Sequence, residues 1–274
     1  MTRIAIQGQE GSYHEIVAHR LYGDNAEIIP CTTFAEVFET YESGEADGLV
    51  VAVENSIYGS INEVYQLIEA CSAPIVSEVK LEIDQMLIGL PGAKLEKLQQ
   101  IYSHPVALAQ CRETLHRIAP RAELIEYFDT AGAVEFISET RDTSVAAVAS
   151  DRAARLHGLP VLQRSVQDND HNITRFLALE DRNTDPDANR SSLVITTNHQ
   201  PGSLVEVLQV FAQAGVNIAK LQSQPIVGDP WHYKFFCVVD CAGRQLRELV
   251  DVIEKSDHQV TLLGEYIAAK ALSQ

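Results

Sequence analysis

Short aliphatic runs alternate with stretches of helical period from Ile4 to about Ala154. That alternation predicts an α/β domain with a substantially parallel sheet and helices on both of its faces. The runs Ile4 to Gln7, Gly48 to Val53, Met86 to Leu90, Leu124 to Phe128 and Ser144 to Ala149 are apolar almost throughout, the pattern of strands buried on both sides. Phe34, Val37, Phe38 and Tyr41 fall at i, i+3, i+4 and i+7 behind Thr32 or Thr33 as an N-cap, and Val64, Leu67, Ile68 and Cys71 repeat the spacing. Each set predicts one amphipathic helix.

The pattern changes near residue 180. EDRNTDPDANR, from Glu180 to Arg190, has no large apolar residue and one proline, and reads as an exposed linker. Beyond it, strand patterns at Ser191 to Thr197, Val216 to Pro225, Tyr233 to Val239 and Val260 to Ile267 are interleaved with two helical stripes. Leu204, Val207, Leu208 and Phe211 form the first, and Leu246, Leu249, Val250 and Ile253 the second. The order is βαββαβ, a ferredoxin-like α+β arrangement. A larger domain over 1–182, a linker over 183–190 and a smaller module over 191–274 follow, the last of a kind used for regulation or oligomerisation.

Composition narrows the function classes. The 274 residues carry 21 Lys and Arg against 38 Asp and Glu, a net charge of -17. A nucleic-acid backbone or an anionic membrane surface is therefore a poor partner. No apolar stretch approaches the roughly 18 residues of a membrane span, and the N-terminus turns polar after a few positions, which predicts an unexported, cytoplasmic protein. Five cysteines without a CxxC pair suit a reducing compartment, with Cys237 and Cys241 read as buried thiols. The nine histidines include no HExxH and no His/Cys cluster, so no metal is expected.

Four segments could carry chemistry. Gly8-Gln9-Glu10-Gly11-Ser12-Tyr13 follows a strand and opens a helix; it is either an anion site or a glycine turn with Ser12 as N-cap, and it meets neither the Rossmann nor the P-loop template. Glu54-Asn55-Ser56-Ile57-Tyr58-Gly59-Ser60 follows the most apolar strand, where a ligand crevice or a capped turn is expected. Ser103-His104-Pro105 leads into a helix whose stripe Leu108, Cys111, Leu115 and Ile118 leaves Gln110 off the core face, with His104 as a capping residue. In Thr174 to Leu179, a period of two sends Thr174 and Phe176 to one face and Arg175 to the other.

Taken in order, these segments resemble the prephenate dehydratases, with the ACT domain that usually follows their catalytic domain. GQEGSY at 8–13, VENSIYGSI at 53–61, SHPVALAQC at 103–111, DTAGAV at 129–134 and NITRFLAL at 172–179 carry the first likeness. PGSLVEVL at 201–208 and LQSQP at 221–225 carry the second. The resemblance implies a catalytic domain of two α/β lobes, like type 2 periplasmic binding proteins, closing on prephenate and releasing carbon dioxide, water and phenylpyruvate for phenylalanine synthesis, with no cofactor. It implies that Thr174 donates the proton, while Ser12, Glu54, Asn55, Ser56, Ser103, Gln110, Thr130, Arg175 and Phe176 bind the substrate. Because the likeness starts at the first strand, no fused chorismate mutase is expected.

For the smaller module the resemblance implies a homodimer or homotetramer and an L-phenylalanine site at Gly202, Ser203, Leu204, Gln222 and Ser223. Three departures from the family pattern stand out: His14 in place of a serine, Val106 in place of a glutamine, and QSQP at 222–225 in place of ESRP, which puts the usual feedback geometry in question. Arogenate dehydration and non-catalytic binding of an aromatic or amino acid are the alternatives.

Overall fold

The computed structural model describes every residue except 199, 227, 230, 270, 273 and 274. The chain divides into two compact units. One comprises Met1–Ile61, Val79–Phe176 and the C-terminal end from Ala271; the other comprises Asn62–Glu78 and Leu177–Lys270.

In the first unit, β1 (Arg3–Gln7) runs parallel to β2 (Glu27–Cys31) and to β3 (Gly48–Asn55). Between them lie α1 (Tyr13–Tyr22), capped by the Ser12 hydroxyl on the Glu15 N–H, and α2 (Phe34–Glu42), capped by Thr33 on the Glu36 N–H. A hydroxyl at each N-cap satisfies a backbone donor that the helix leaves unpaired. The two-residue β4 (Gly59–Ser60) folds back against the end of β3, and after α3 (Asn62–Ala70) the chain returns as β5 (Ile75–Glu82).

The stretch 83–85, Ile83-Asp84-Gln85, then carries the chain into a second sheet. It holds β6 (Met86–Gly89), β7 (Gln100–Ser103), β8 (Glu123–Glu126), β9 (Val145–Ala149) and β10 (Val161–Gln163), in the order β10-β6-β9-β7-β8. Its helices are α4 (Pro105–Gln110), α5 (Arg112–Ile118), α6 (Thr130–Glu139) and α7 (Asp151–Leu156). The loop 164–172 leads back to the first sheet as β11 (Ile173–Glu180), which lies between β5 and β3. The domain is thus two α/β lobes joined by two crossovers, as the resemblance implies, where the alternation by itself read as one substantially parallel sheet. In the second of them β6 runs antiparallel to both β9 and β10.

Some details differ from expectation. The strand expected to reach Phe128 stops at Glu126, and Phe128 is half exposed. The helix expected through Gln110 breaks at Cys111, where the backbone leaves helical geometry. β2 escaped the pattern because EIIPC is short and contains Pro30, which a strand tolerates at a sheet edge.

The second unit is built on a four-stranded antiparallel sheet in the order β13-β14-β12-β15. Its elements are β12 (Arg190–Thr196), α8 (Ser203–Gln213), β13 (Ile218–Pro225), β14 (Tyr233–Val239), α9 (Gly243–Glu254) and β15 (Gln259–Tyr266). This is the expected βαββαβ order, with Leu193, Ile195, Phe211, Cys237, Leu246 and Ile253 in its core. Within the same unit the Tyr65 ring of α3 packs on Phe236 at 4.4 Å. Arg190 bridges Glu78 at 2.9 Å and Asp240 at 2.6 Å. Residues 181–187 are exposed and irregular. No helix among the described residues is long and apolar enough to cross a membrane.

Candidate active site

Loops from both lobes of the first unit meet around a cavity of about 330 Å³, within the size range of small-molecule sites. Gln7, Ser12, His14, Asn55 and Thr174 line it from the first lobe, and His104, Gln110, Asp129 and Thr130 from the second. Ile83 and Gln85 of the first crossover complete one wall. No lysine or arginine is among the described residues that line it.

A chain of side-chain amides leads to Thr174. The Asn55 Nδ2 group donates to Thr174 Oγ1 at 3.0 Å and to Asn172 Oδ1 at 2.7 Å. Asn172 Nδ2 donates in turn to Gln110 Oε1 at 2.9 Å. Asn55 Oδ1 also accepts the Ile57 and Tyr58 N–H groups, so the capped turn and the ligand-facing residue expected at this position are the same asparagine. With its oxygen already accepting, the Thr174 hydroxyl has its hydrogen left to give, and donation from Asn55 polarises it in that direction. Phe176, two residues along β11, lines the same cavity and is buried.

Other expected residues sit elsewhere. Glu54 and Arg175 face each other at 3.9 Å and do not line the cavity. The Ser56 hydroxyl donates to the His171 carbonyl and accepts the Ile173 N–H, pinning the loop after β3 to the start of β11. The Ser103 hydroxyl is buried and donates to the Val148 carbonyl at 2.6 Å. Ser12, Asn55, Gln110, Thr130, Thr174 and Phe176 do meet around the cavity.

Three titratable groups at the site were not foreseen as site residues. His14 accepts the Ala52 N–H on Nε2 at 3.0 Å, and burial lowers its pKa to about 3. His104 caps α4 by accepting the Val106 N–H on Nδ1 at 3.2 Å, and burial holds its pKa below the ordinary histidine value despite Asp129 and Glu126. Asp129 caps α6, its Oδ1 accepting the Gly132 N–H at 2.6 Å; burial raises its pKa against the lowering effect of that bond. The DTAGAV motif was the sequence signal for Asp129. Gln85 and Asn172 lie in the crossovers; Asn172 opens the NITRFLAL motif without having been singled out, and Gln85 carries no local signal.

In the second unit, a surface pocket lies at the start of α8, lined by Thr197, Gln200, Pro201 and residues 202–205. Gly202 occupies the left-handed region, at φ 93°, as the residue preceding the helix, a conformation that favours glycine. The Ser203 hydroxyl is engaged in its own turn, with Asn198 and Gln200. Gln222 and Ser223 lie on β13 and are not part of this pocket.

A two-lobed α/β domain with a polar network on the wall of its cavity, followed by a ferredoxin-like module, has the layout of a small-molecule-binding domain with a second module appended. The family described as "Prephenate dehydratase" matches residues 4–184, and the "ACT domain" family matches 191–257. The chain belongs to the prephenate dehydratase family.

Among its relatives, "Arogenate dehydratase/prephenate dehydratase 2, chloroplastic" of Arabidopsis thaliana is 38% identical over 83% of this chain and 60% of its own length. The chain spans about three fifths of the first plant relatives it matches. A prephenate dehydratase from Arthrobacter aurescens, solved in complex with L-Phe, superposes with a TM-score of 0.88 at 27% identity, covering 97% of this chain and 90% of the other. A structure described as "GqqA- a novel type of quorum quenching acylases" gives a TM-score of 0.85 at 33% identity, covering 97% and 98%.

Proposed function

We propose that the protein converts prephenate to phenylpyruvate, carbon dioxide and water, with Thr174 as the proton donor. The observation that carries this reading is the Thr174 hydroxyl, buried on the cavity wall with its oxygen accepting from Asn55 at 3.0 Å and its hydrogen unspent. In the reaction the ring carboxylate leaves as carbon dioxide, its bonding electrons enter the ring, and the ring hydroxyl departs with one proton as water. The dianion takes up that proton and becomes a monoanion. Aromatisation supplies the driving force, so the protein has to orient the ring, protonate the leaving oxygen and strip water from the carboxylate. Asn55, Gln110, Thr130 and Phe176 orient the substrate, and Ser12 opens a helix whose N-terminal N–H groups favour its negative charge. Thr174 recovers its proton from solvent after product leaves.

Glu54, Ser56, Ser103 and Arg175 act from behind this wall, shaping the loops rather than touching the substrate. Residues 1–182 form the catalytic domain, 183–190 the linker and 191–274 the regulatory ACT domain. Phenylalanine is the effector of that domain, and a homodimer or homotetramer in the cytoplasm is the working assembly. Arogenate, the substrate named for several plant relatives, is the alternative ligand of the same site.

The test is ultraviolet detection of phenylpyruvate from purified protein with prephenate, with parallel reactions supplying arogenate, read as phenylalanine formed, and an acyl amide, prompted by the acylase-described neighbour and read as amine released. Turnover of prephenate well above the other two supports the reading. Exclusive turnover of the amide overturns it, and binding of prephenate without turnover identifies a non-catalytic sensor.

A further inference from the structure

His14 uses one of its two ring nitrogens on the protein. Nε2 accepts the Ala52 N–H at 3.0 Å, so the proton of the neutral ring resides on Nδ1. Nδ1 has no partner among the described residues, and it is not one of the polar side-chain atoms sealed from solvent without a partner. The residue is only 8% exposed and lines the cavity, so that remaining surface opens there. Phe34 and Phe176 pack edge-on against the ring, at 5.8 and 5.1 Å between centroids, and fix its plane.

An uncharged N–H held in this way can only donate, so it pairs with an oxygen acceptor and is mismatched to an ammonium group. The substrate proposed above brings two carboxylates into a cavity with no lysine or arginine among the described residues that line it. We infer that His14 is a substrate-positioning residue whose Nδ1–H holds a carboxylate oxygen of the bound substrate, in the place a cation would otherwise take. The inference rests on the dehydratase reading. A neutral donor avoids the cost of burying an unpaired charge in the empty site, yet forms a charge-assisted bond once the anion arrives.

Steady-state kinetics with prephenate on the full chain test this in His14→Phe, His14→Asn and His14→Gln. Phenylalanine keeps the ring and removes both nitrogens. Asparagine returns a donor near the position of Nδ1, whereas glutamine reaches the position of Nε2 with an oxygen able to accept from Ala52. His14→Phe is expected to raise KM about 10- to 100-fold, the effect of one hydrogen bond to a charged group, with kcat changed far less. Asparagine recovers part of that loss and glutamine does not.

Recovery by glutamine and not by asparagine overturns the inference, because the ring then serves only to seat the β3 backbone. An unchanged KM in a folded His14→Phe protein overturns it as well. Should His14→Phe fail to fold, the asparagine and glutamine variants decide between the same two outcomes. Wild-type protein is assayed first: no turnover of prephenate there defeats the dehydratase reading itself, whereas turnover with the wrong variant order defeats only the role of His14.

Discussion

A threonine hydroxyl is a weak acid, and in the proposed function the hydrogen bond that the Thr174 oxygen accepts from Asn55 at 3.0 Å favours release of its hydrogen. Replacing it with alanine is expected to lower kcat at least 100-fold, or about 3 kcal/mol of barrier, while KM for prephenate stays near wild type. Thr174→Ser is expected to keep much of the activity, because Asn55 can donate to either hydroxyl. Near-normal kcat in Thr174→Ala would assign the proton to another group. A second prediction at this scale concerns stability and pH. His14 titrates near 3 in the folded protein against an ordinary 6.5, so below about pH 6.5 the unfolded chain binds the proton that the folded chain refuses. Its contribution to stability is complete above 6.5 and is lost as pH falls toward 3, with a slope approaching about 1.4 kcal/mol per pH unit. His104, also lowered, acts in the same sense, whereas Asp129, raised by burial, acts in the opposite one. The His14 part is therefore read as a difference: urea melts of wild type and His14→Phe between pH 7 and 4 should converge as acid is added. Parallel curves would mean that the ring is not buried neutral.

At the level of elements, the two lobes meet at the first glycine loop. Gly11 lies at φ 89°, and a Cβ there would come within 2.9 Å of Ala153 Cα at the start of α7. The same approach lets Ser150 donate to the Gly11 carbonyl at 2.6 Å while capping α7, and lets Arg152 fork onto Glu15. Gly11→Ala combines left-handed strain with overpacking against backbone, for a loss of about 2 to 4 kcal/mol in a urea melt; a neutral result would mean that the lobes part at no cost. This also marks where the sequence was legible. β3 announced itself as an unbroken apolar run, and Ser12 and Thr33 as caps, because those signals are local. The partition into two sheets came from the resemblance and not from the hydrophobic pattern, because the crossovers look like ordinary loop, and the pairing of Asn55 with Asn172 across 117 residues of chain joins two motifs that nothing local connects. Hydroxyls such as Ser56 and Ser103 resemble ligand contacts in sequence and prove to fasten backbone, since nothing in a motif says which way a side chain turns.

At the scale of the whole molecule, the proposed function requires a chain of net charge -17 to admit a dianion and to respond to an amino acid bound in the second unit. Screening confines the global field to about 8 Å at physiological salt, so helix N-termini and the uncharged donors of the cavity decide binding locally. The second unit has its own pocket at Gly202, and the residues that depart from the ESRP pattern, Gln222 and Gln224, lie on a strand outside it. Phenylalanine is accordingly predicted to bind at the α8 start without needing the lost Glu and Arg, and to weaken prephenate binding by about 5- to 150-fold in Kd, the usual range of coupling between sites. Linkage requires the converse: prephenate must weaken phenylalanine binding by the same factor. Thr174→Ala makes this measurable, since it is expected to hold prephenate without consuming it, and calorimetric titration of phenylalanine into that variant with and without prephenate gives both affinities. Gly202→Ala should weaken phenylalanine in both titrations equally, because it strains the pocket and not the coupling. If phenylalanine binds with the same affinity whether or not prephenate is present, the module assembles the protein without regulating it.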